Sequence, residues 1–196
     1  MPDFKFVSTK TATTDALDVP LGDINDEIIS LFNRIDVNST VMIAMMDWYL
    51  DVSGHVSGET GDPVALALEK RLKVLWPPGK PPEYPPVKIV LCPPESEHYG
   101  GSSKEILDDL ISDGLVELHF AEVMPNSLMH NKIFIFRNIS NADDIPGFGD
   151  YLAVSSANLY WSQLYQANEM VVINDLSDVI GWYEDYVQRK HSQYIG

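Results

Sequence analysis

The run Thr40-Val-Met-Ile-Ala-Met-Met46 is apolar at every position after the threonine. A strand shows its two faces alternately, so a run without polar alternates leaves no face for water. Such a strand belongs inside a sheet covered by helices on both sides. Val87-Lys-Ile-Val-Leu-Cys92 is a second, nearly apolar run. The stretches between such runs change period. Ile24, Ile28, Leu31, Phe32 and Ile35 recur at helical spacing behind Asp23, a candidate N-cap. Asp62-Pro63 pairs a cap with proline at the first helical position and opens a helix through Val74. Ser102-Ser-Lys-Glu105 has the form of a capping box ahead of Ile106, Leu107, Leu110 and Ile111, and Gly114 closes that helix. Val116, Leu118 and Phe120 alternate with Glu117 and His119, as in a strand. Phe4 to Val7, the segment from His130, Tyr151 to Ser156 and Met170 to Ile173 supply further strands. A short helix is expected after Asn158, and a last amphipathic helix carries Val179, Ile180, Tyr183 and Val187. About seven strands and five helices in this alternation predict an α/β fold, an α/β/α sandwich on a central mixed β-sheet.

The 196 residues are enough for one domain with a full core, so residues 1–196 are read as a single domain without internal repeats. No apolar run approaches 18 residues, so no membrane span is expected, and the start MPDFKFVSTK lacks the apolar stretch of a secretory signal. The one cysteine, Cys92, has no internal disulfide partner and reads as a small buried hydrophobe; a reducing, cytoplasmic setting fits. Asn38-Ser-Thr and Asn138-Ile-Ser match the glycosylation acceptor pattern by chance in that setting. Pro77 to Pro86 is a stiff connector. Trp48 and Tyr49 are expected to pack under the loop that follows the first apolar strand.

Charge bounds the partners. Asp and Glu number 29 against 13 Lys and Arg, giving a net charge of −16. A surface of this sign repels long polyanions and anionic membranes, and the densest basic patch is only Glu69-Lys70-Arg71-Leu72-Lys73 on one predicted helix. This weighs against tight or processive nucleic-acid binding. It leaves small diesters and weakly held substrates open.

Two segments concentrate chemistry. Leu128-Met-His-Asn-Lys-Ile-Phe-Ile-Phe136 sets His130 and Lys132 two residues apart, and Ala153-Val-Ser-Ser-Ala-Asn-Leu-Tyr160 does the same for Ser156 and Asn158. Residues i and i+2 of a strand share a face. Two such strands side by side gather a nucleophilic imidazole, a cation and two neutral donors, a set suited to a phosphate diester. His55, His98, His119 and His191 are scattered without ligand spacing, so no zinc site is expected.

The order His-x-Lys, apolar run, Ser-Ser-Ala-Asn-Leu, then Ala-Asn-Glu-Met-Val-Val-Ile resembles the phospholipase D superfamily, in its compact single-motif, nuclease-like branch. That family's motif is His-x-Lys-x4-Asp, a spacer, and Gly-Ser-x-Asn. Here Arg137 stands where the motif aspartate falls, Ser155 replaces the glycine, and Asn138 to Asp150 reads as an inserted hairpin loop. Asp143, Asp144 and Asp150 are candidates to replace the missing charge.

The resemblance implies a phospholipase D-like sandwich and a metal-independent phosphodiesterase that needs no cofactor. His130 would attack phosphorus and form a phosphohistidine. Lys132, Ser156 and Asn158 would hold the phosphate oxygens, and Glu169 would orient the imidazole. Because the chain has one His-x-Lys and the chemistry uses two imidazoles, the resemblance further implies a homodimer with one shared site. Nuclease-like hydrolysis of DNA or RNA is the leading expectation. A phospholipase D or phosphatidyl transferase acting on lipid headgroups, and a catalytically silent dimeric binding module, are the alternatives.

Overall fold

A computed structural model describes residues 3–8, 23–53, 60–92, 99–121, 130–141, 146–160 and 168–192. The predicted apolar strand becomes β2 (Thr40–Met45) and the second apolar run β4 (Val87–Leu91). They lie side by side in parallel, Ile43 opposite Ile89, as interior strands of a seven-stranded sheet. The other members are β1 (Asp3–Ser8), β5 (Val116–Phe120), β6 (Lys132–Ser140), β7 (Phe148–Ser155) and β9 (Glu169–Asn174). The order is β1-β9-β7-β6-β2-β4-β5. β4 and β5 continue the parallel half, whereas β6, β7, β9 and β1 pair antiparallel, so the sheet is mixed as expected. Two short strands, β3 (Trp48–Tyr49) and β8 (Leu159–Tyr160), form a separate parallel pair that the sequence did not announce.

Alternation along the central strands assigns the two cores. Val41, Ile43 and Met45 of β2 and Phe134 and Phe136 of β6 pack with α1 (Asp23–Asn33), α2 (Pro63–Leu75) and α3 (Gly101–Ser112). Met42 and Ala44, with Ile133 and Ile135, turn the other way onto Ile180 and Val187 of α4 (Ser177–Ser192). Each fully buried aliphatic or aromatic side chain contributes about 1.5–3 kcal/mol, which is why the uninterrupted apolar runs end up in the middle. Among the described residues, no helix is long and apolar enough to cross a membrane.

Several boundaries moved. The helix cap at Asp62 forms as read: Oδ1 accepts the Val64 and Ala65 amides, each at 2.9 Å, with Pro63 in the first turn. The Ser102–Glu105 capping box does not form. α3 starts earlier, at Gly101, with Gly100 as its N-cap and no side-chain cap. The ring of Tyr49 packs on these glycines: a Cβ on Gly100 would come within 2.6 Å of it. Gly101 also takes φ +59°, a conformation glycine adopts without strain. Gly114, at φ +70°, closes the helix as predicted, and Leu115 N–H bonds back to the Leu110 carbonyl. α1 begins at Asp23 itself rather than after it.

In the stretch read as an inserted hairpin loop, 138–150, residues 138–140 and 148–150 are strand. β6 runs on to Ser140 past an irregularity beyond Phe136, β7 starts at Phe148, and Ser140 still pairs with Phe148. Asn138 supplies the kink with φ 56° and bonds its N–H to Asp150 Oδ1. Asp143 and Asp144 lie outside the described residues. Leu159 and Tyr160 are β8. The short helix expected after Asn158 falls on 161–167, outside the described residues.

Candidate active site

The sheet register brings the two motif segments to one end of the sheet. Met45, the last residue of β2, pairs with Lys132, the first of β6. Ile133 pairs with Val154 of β7, and Ser155 pairs with Met170 of β9. The start of β6, the ends of β2 and β7 and the start of β9 therefore share one edge. Lys132, Ser155 and Glu169 are terminal residues of their strands, with His130, Ser156 and Asn158 just beyond.

His130 is exposed, two residues ahead of β6. Its carbonyl accepts a hydrogen bond from Lys132 Nζ at 3.3 Å. Asn131 between them points the other way, donating to the Tyr186 hydroxyl of α4 at 2.6 Å, while its carbonyl receives the Met46 amide. Lys132 lies on the face of Phe134 and Phe136 and is only 4% exposed. Burial pushes its ammonium pKa down; the negative field of Asp47 and, more weakly, the Cys92 thiol oppose that shift.

Ser156 and Asn158 do not share a strand face, because β7 ends at Ser155 and the chain bends there. The exposed Ser156 turns to β9. Its amide bonds to the Glu169 carbonyl and its Oγ accepts the Glu169 amide, both at 2.9 Å; Oγ also donates to Asn168 Oδ1 at 3.2 Å. Asn158 is buried and turns toward the end of β2. Its Nδ2 donates to Asp47 Oδ2 at 2.6 Å. Ser155, standing where the family motif has glycine, caps the bend: its Oγ accepts the Ala157 amide at 2.9 Å. Glu169 is exposed and meets Ser156 through its backbone; within the single chain no hydrogen bond joins its carboxylate to the His130 ring.

Asp47 is the residue that sequence reasoning missed. It is 6% exposed and sits beside both Asn158 and Lys132. Its signal was positional: an acid directly at the carboxyl end of a strand buried on both faces, the place where open α/β sheets hold ligands. Trp48, the next residue, packs inside as expected, fully buried with Nε1 on Asp62 at 2.7 Å.

Arg137 takes no part in this edge. Five residues along β6 from Lys132, about 16 Å at strand rise, it bonds Asp150 at 2.7 Å and Glu184 of α4 at 2.9 Å. Two of the basic residues of the patch on α2 are likewise engaged: Arg71 donates to the Ile35 carbonyl and Lys73 to Glu69 and Asp109.

No protein-family model matches the chain. No curated protein sequence matches it. Solved structures do match. Nuc from Salmonella typhimurium, a phospholipase D family member, superposes over 98% of this chain and 96% of its own, with a TM-score of 0.59 at 15% identity. NucT from Helicobacter pylori matches over 96% of both chains, with a TM-score of 0.54 at 16% identity. The polyphosphate kinase of Porphyromonas gingivalis gives 0.52 at 11% identity, the chain covering 25% of that protein. Across nearly its whole length, the chain carries the fold of the phospholipase D family.

Proposed function

We propose that this chain is a metal-independent phosphodiesterase that works through a phosphohistidine on His130, with nuclease-like hydrolysis of DNA or RNA as its activity. The observation that carries the proposal is the shared edge. His130 and Lys132 ahead of β6, and Ser156 and Asn158 after β7, are brought to one end of a sheet whose fold matches that of Nuc over nearly the entire chain.

The chemistry explains why these residue types are needed. A phosphate diester repels anionic nucleophiles, whereas a neutral imidazole nitrogen approaches without that penalty. Attack by His130 forms an N–P bond as the P–O bond to the leaving group breaks, and water then cleaves the N–P bond. Lys132 and Asn158 supply fixed charge and a fixed dipole to the non-bridging oxygens, with Ser156 beside them. The exposed Glu169 is the carboxylate for the imidazolium. The leaving oxygen needs a proton from a second imidazole, which a two-fold partner supplies as its own His130. Arg137 in place of the motif aspartate does not argue for a silent module, because its position is an ion-pair clamp away from this edge.

The test is a substrate panel in excess chelator: an aryl phosphodiester, single- and double-stranded DNA, RNA, and phosphatidylcholine vesicles. Hydrolysis of the aryl diester and of a nucleic acid, falling about 10³-fold or more in His130→Ala, is the expected result. Turnover that survives in His130→Ala overturns the mechanism, and cleavage of the vesicles alone moves the substrate to lipid headgroups.

A further inference from the structure

The short β3–β8 pair fixes more than two strands. Its register sets Trp48 opposite Leu159 and Tyr49 opposite Tyr160. The residues immediately before each strand, Asp47 and Asn158, are thereby held against each other. Two hydrogen bonds join them: Asn158 Nδ2 to Asp47 Oδ2 at 2.6 Å, and the Asp47 amide to Asn158 Oδ1 at 3.4 Å. Both residues are buried, at 6% and 9% exposure. A third tie runs from the Leu159 amide to Met45 Sδ at 3.4 Å, and the Met46 amide bonds the Asn131 carbonyl at 3.1 Å. The end of β2 thus holds the segment of His130 and Lys132 on one side and that of Asn158 on the other.

We propose that Asp47 is a positioning residue of the site: its carboxylate fixes the orientation of the Asn158 amide so that one N–H is anchored and the other is the donor to a phosphate oxygen. This role rests on the phosphodiesterase reading above. The arrangement admits one orientation. Turning the amide over would set Asn158 Oδ1 against the Asp47 carboxylate and its NH₂ against the Asp47 amide, two repulsions in a buried place. A carboxylate also has a cost here, since it repels the incoming phosphate and partly offsets the charge of Lys132. Asp47 therefore trades ground-state affinity for a donor already aimed, which favours turnover over binding.

The experiment is a double-mutant cycle between Asp47→Ala and Asn158→Ala, read as kcat and KM on the aryl phosphodiester, with Tm measured on each variant. Asp47→Ala lowers kcat about 10- to 100-fold. In the Asn158→Ala background the same change has almost no further effect on kcat, because the group it aims is gone. Asp47→Asn keeps the size but loses the charge, and because its own amide can present either oxygen or NH₂ it no longer selects one orientation of Asn158; made in both backgrounds, it takes the place of Asp47→Ala if that variant does not fold. Asp47→Asn lowers KM, by removing the repulsion, while lowering kcat. Additive losses in the cycle, or KM rising together with falling kcat in Asp47→Asn, overturn the positioning role while leaving the phosphodiesterase reading standing. A parent protein without His130-dependent turnover overturns both.

Discussion

Asp62 is the most constrained titratable residue among those described. It is fully buried and accepts four hydrogen bonds: the Val64 and Ala65 amides on Oδ1, and Trp48 Nε1 at 2.7 Å and Ser103 Oγ at 2.6 Å on Oδ2. Burial pushes its carboxyl pKa up to about 6, against the pull of those donors. The fold thus holds the proton more tightly than the unfolded chain does. Between the ordinary value of 3.8 and about 6, the native state binds more protons, so the contribution of this group to stability falls as pH rises through that window and is fully present below it. A carbon-13 NMR titration of the Asp62 carboxyl should show a midpoint near 6; a midpoint near 4 would contradict the assignment. At this scale the sequence was partly legible. Asp62-Pro63 announced a cap, because capping is a local interaction encoded within a few residues. That the same carboxylate also serves Trp48 and Ser103 was not readable, since the bond to Ser103 spans 41 positions. The same holds for Asp47 and Asn158, 111 positions apart.

β6 shows how one strand carries unrelated tasks at its two ends. Its first residue stands at the candidate site. Five residues on, Arg137 ties β6 to β7 through Asp150 and to α4 through Glu184. Restoring the aspartate of the family motif with Arg137→Asp would place a third carboxylate between two others and remove their only shared cation among the described residues. Chemical unfolding of Arg137→Asp should show a loss of about 2–4 kcal/mol. His130-dependent turnover of the folded variant is expected to stay at the parent level, and a gain in activity would mean that the clamp is not its role. The elements were largely legible because periodicity survives context. The seven main strands and the flanking helices follow from runs such as Thr40–Met46 and the Ile24–Ile35 spacing. What failed was the start of α3, where Gly100 rather than Ser102 is the N-cap, and what went unread was the β3–β8 pair, whose partners lie 111 positions apart in the chain.

For the molecule as a whole, the proposed chemistry uses two imidazoles, and each chain offers one His-x-Lys. If the site is shared, a single His130→Ala subunit silences its wild-type partner. Unfolding and refolding an equal mixture of parent and His130→Ala chains should leave about a quarter of the parent activity, because only parent–parent pairs work. Retention of half would show that each chain acts alone. The fold also predicts where the chain tolerates change in length. β6 and β7 are paired as far as Ser140 and Phe148, at the end of the sheet away from the site edge, so residues added between them lengthen the connection at little cost. Between the paired residues Met45 and Trp48 there are only Met46 and Asp47. One inserted residue would slip Asp47 out of step with Asn158. Descendants of this sequence are therefore free to vary widely at that connection, but must keep the two-residue gap beyond β2 unaltered.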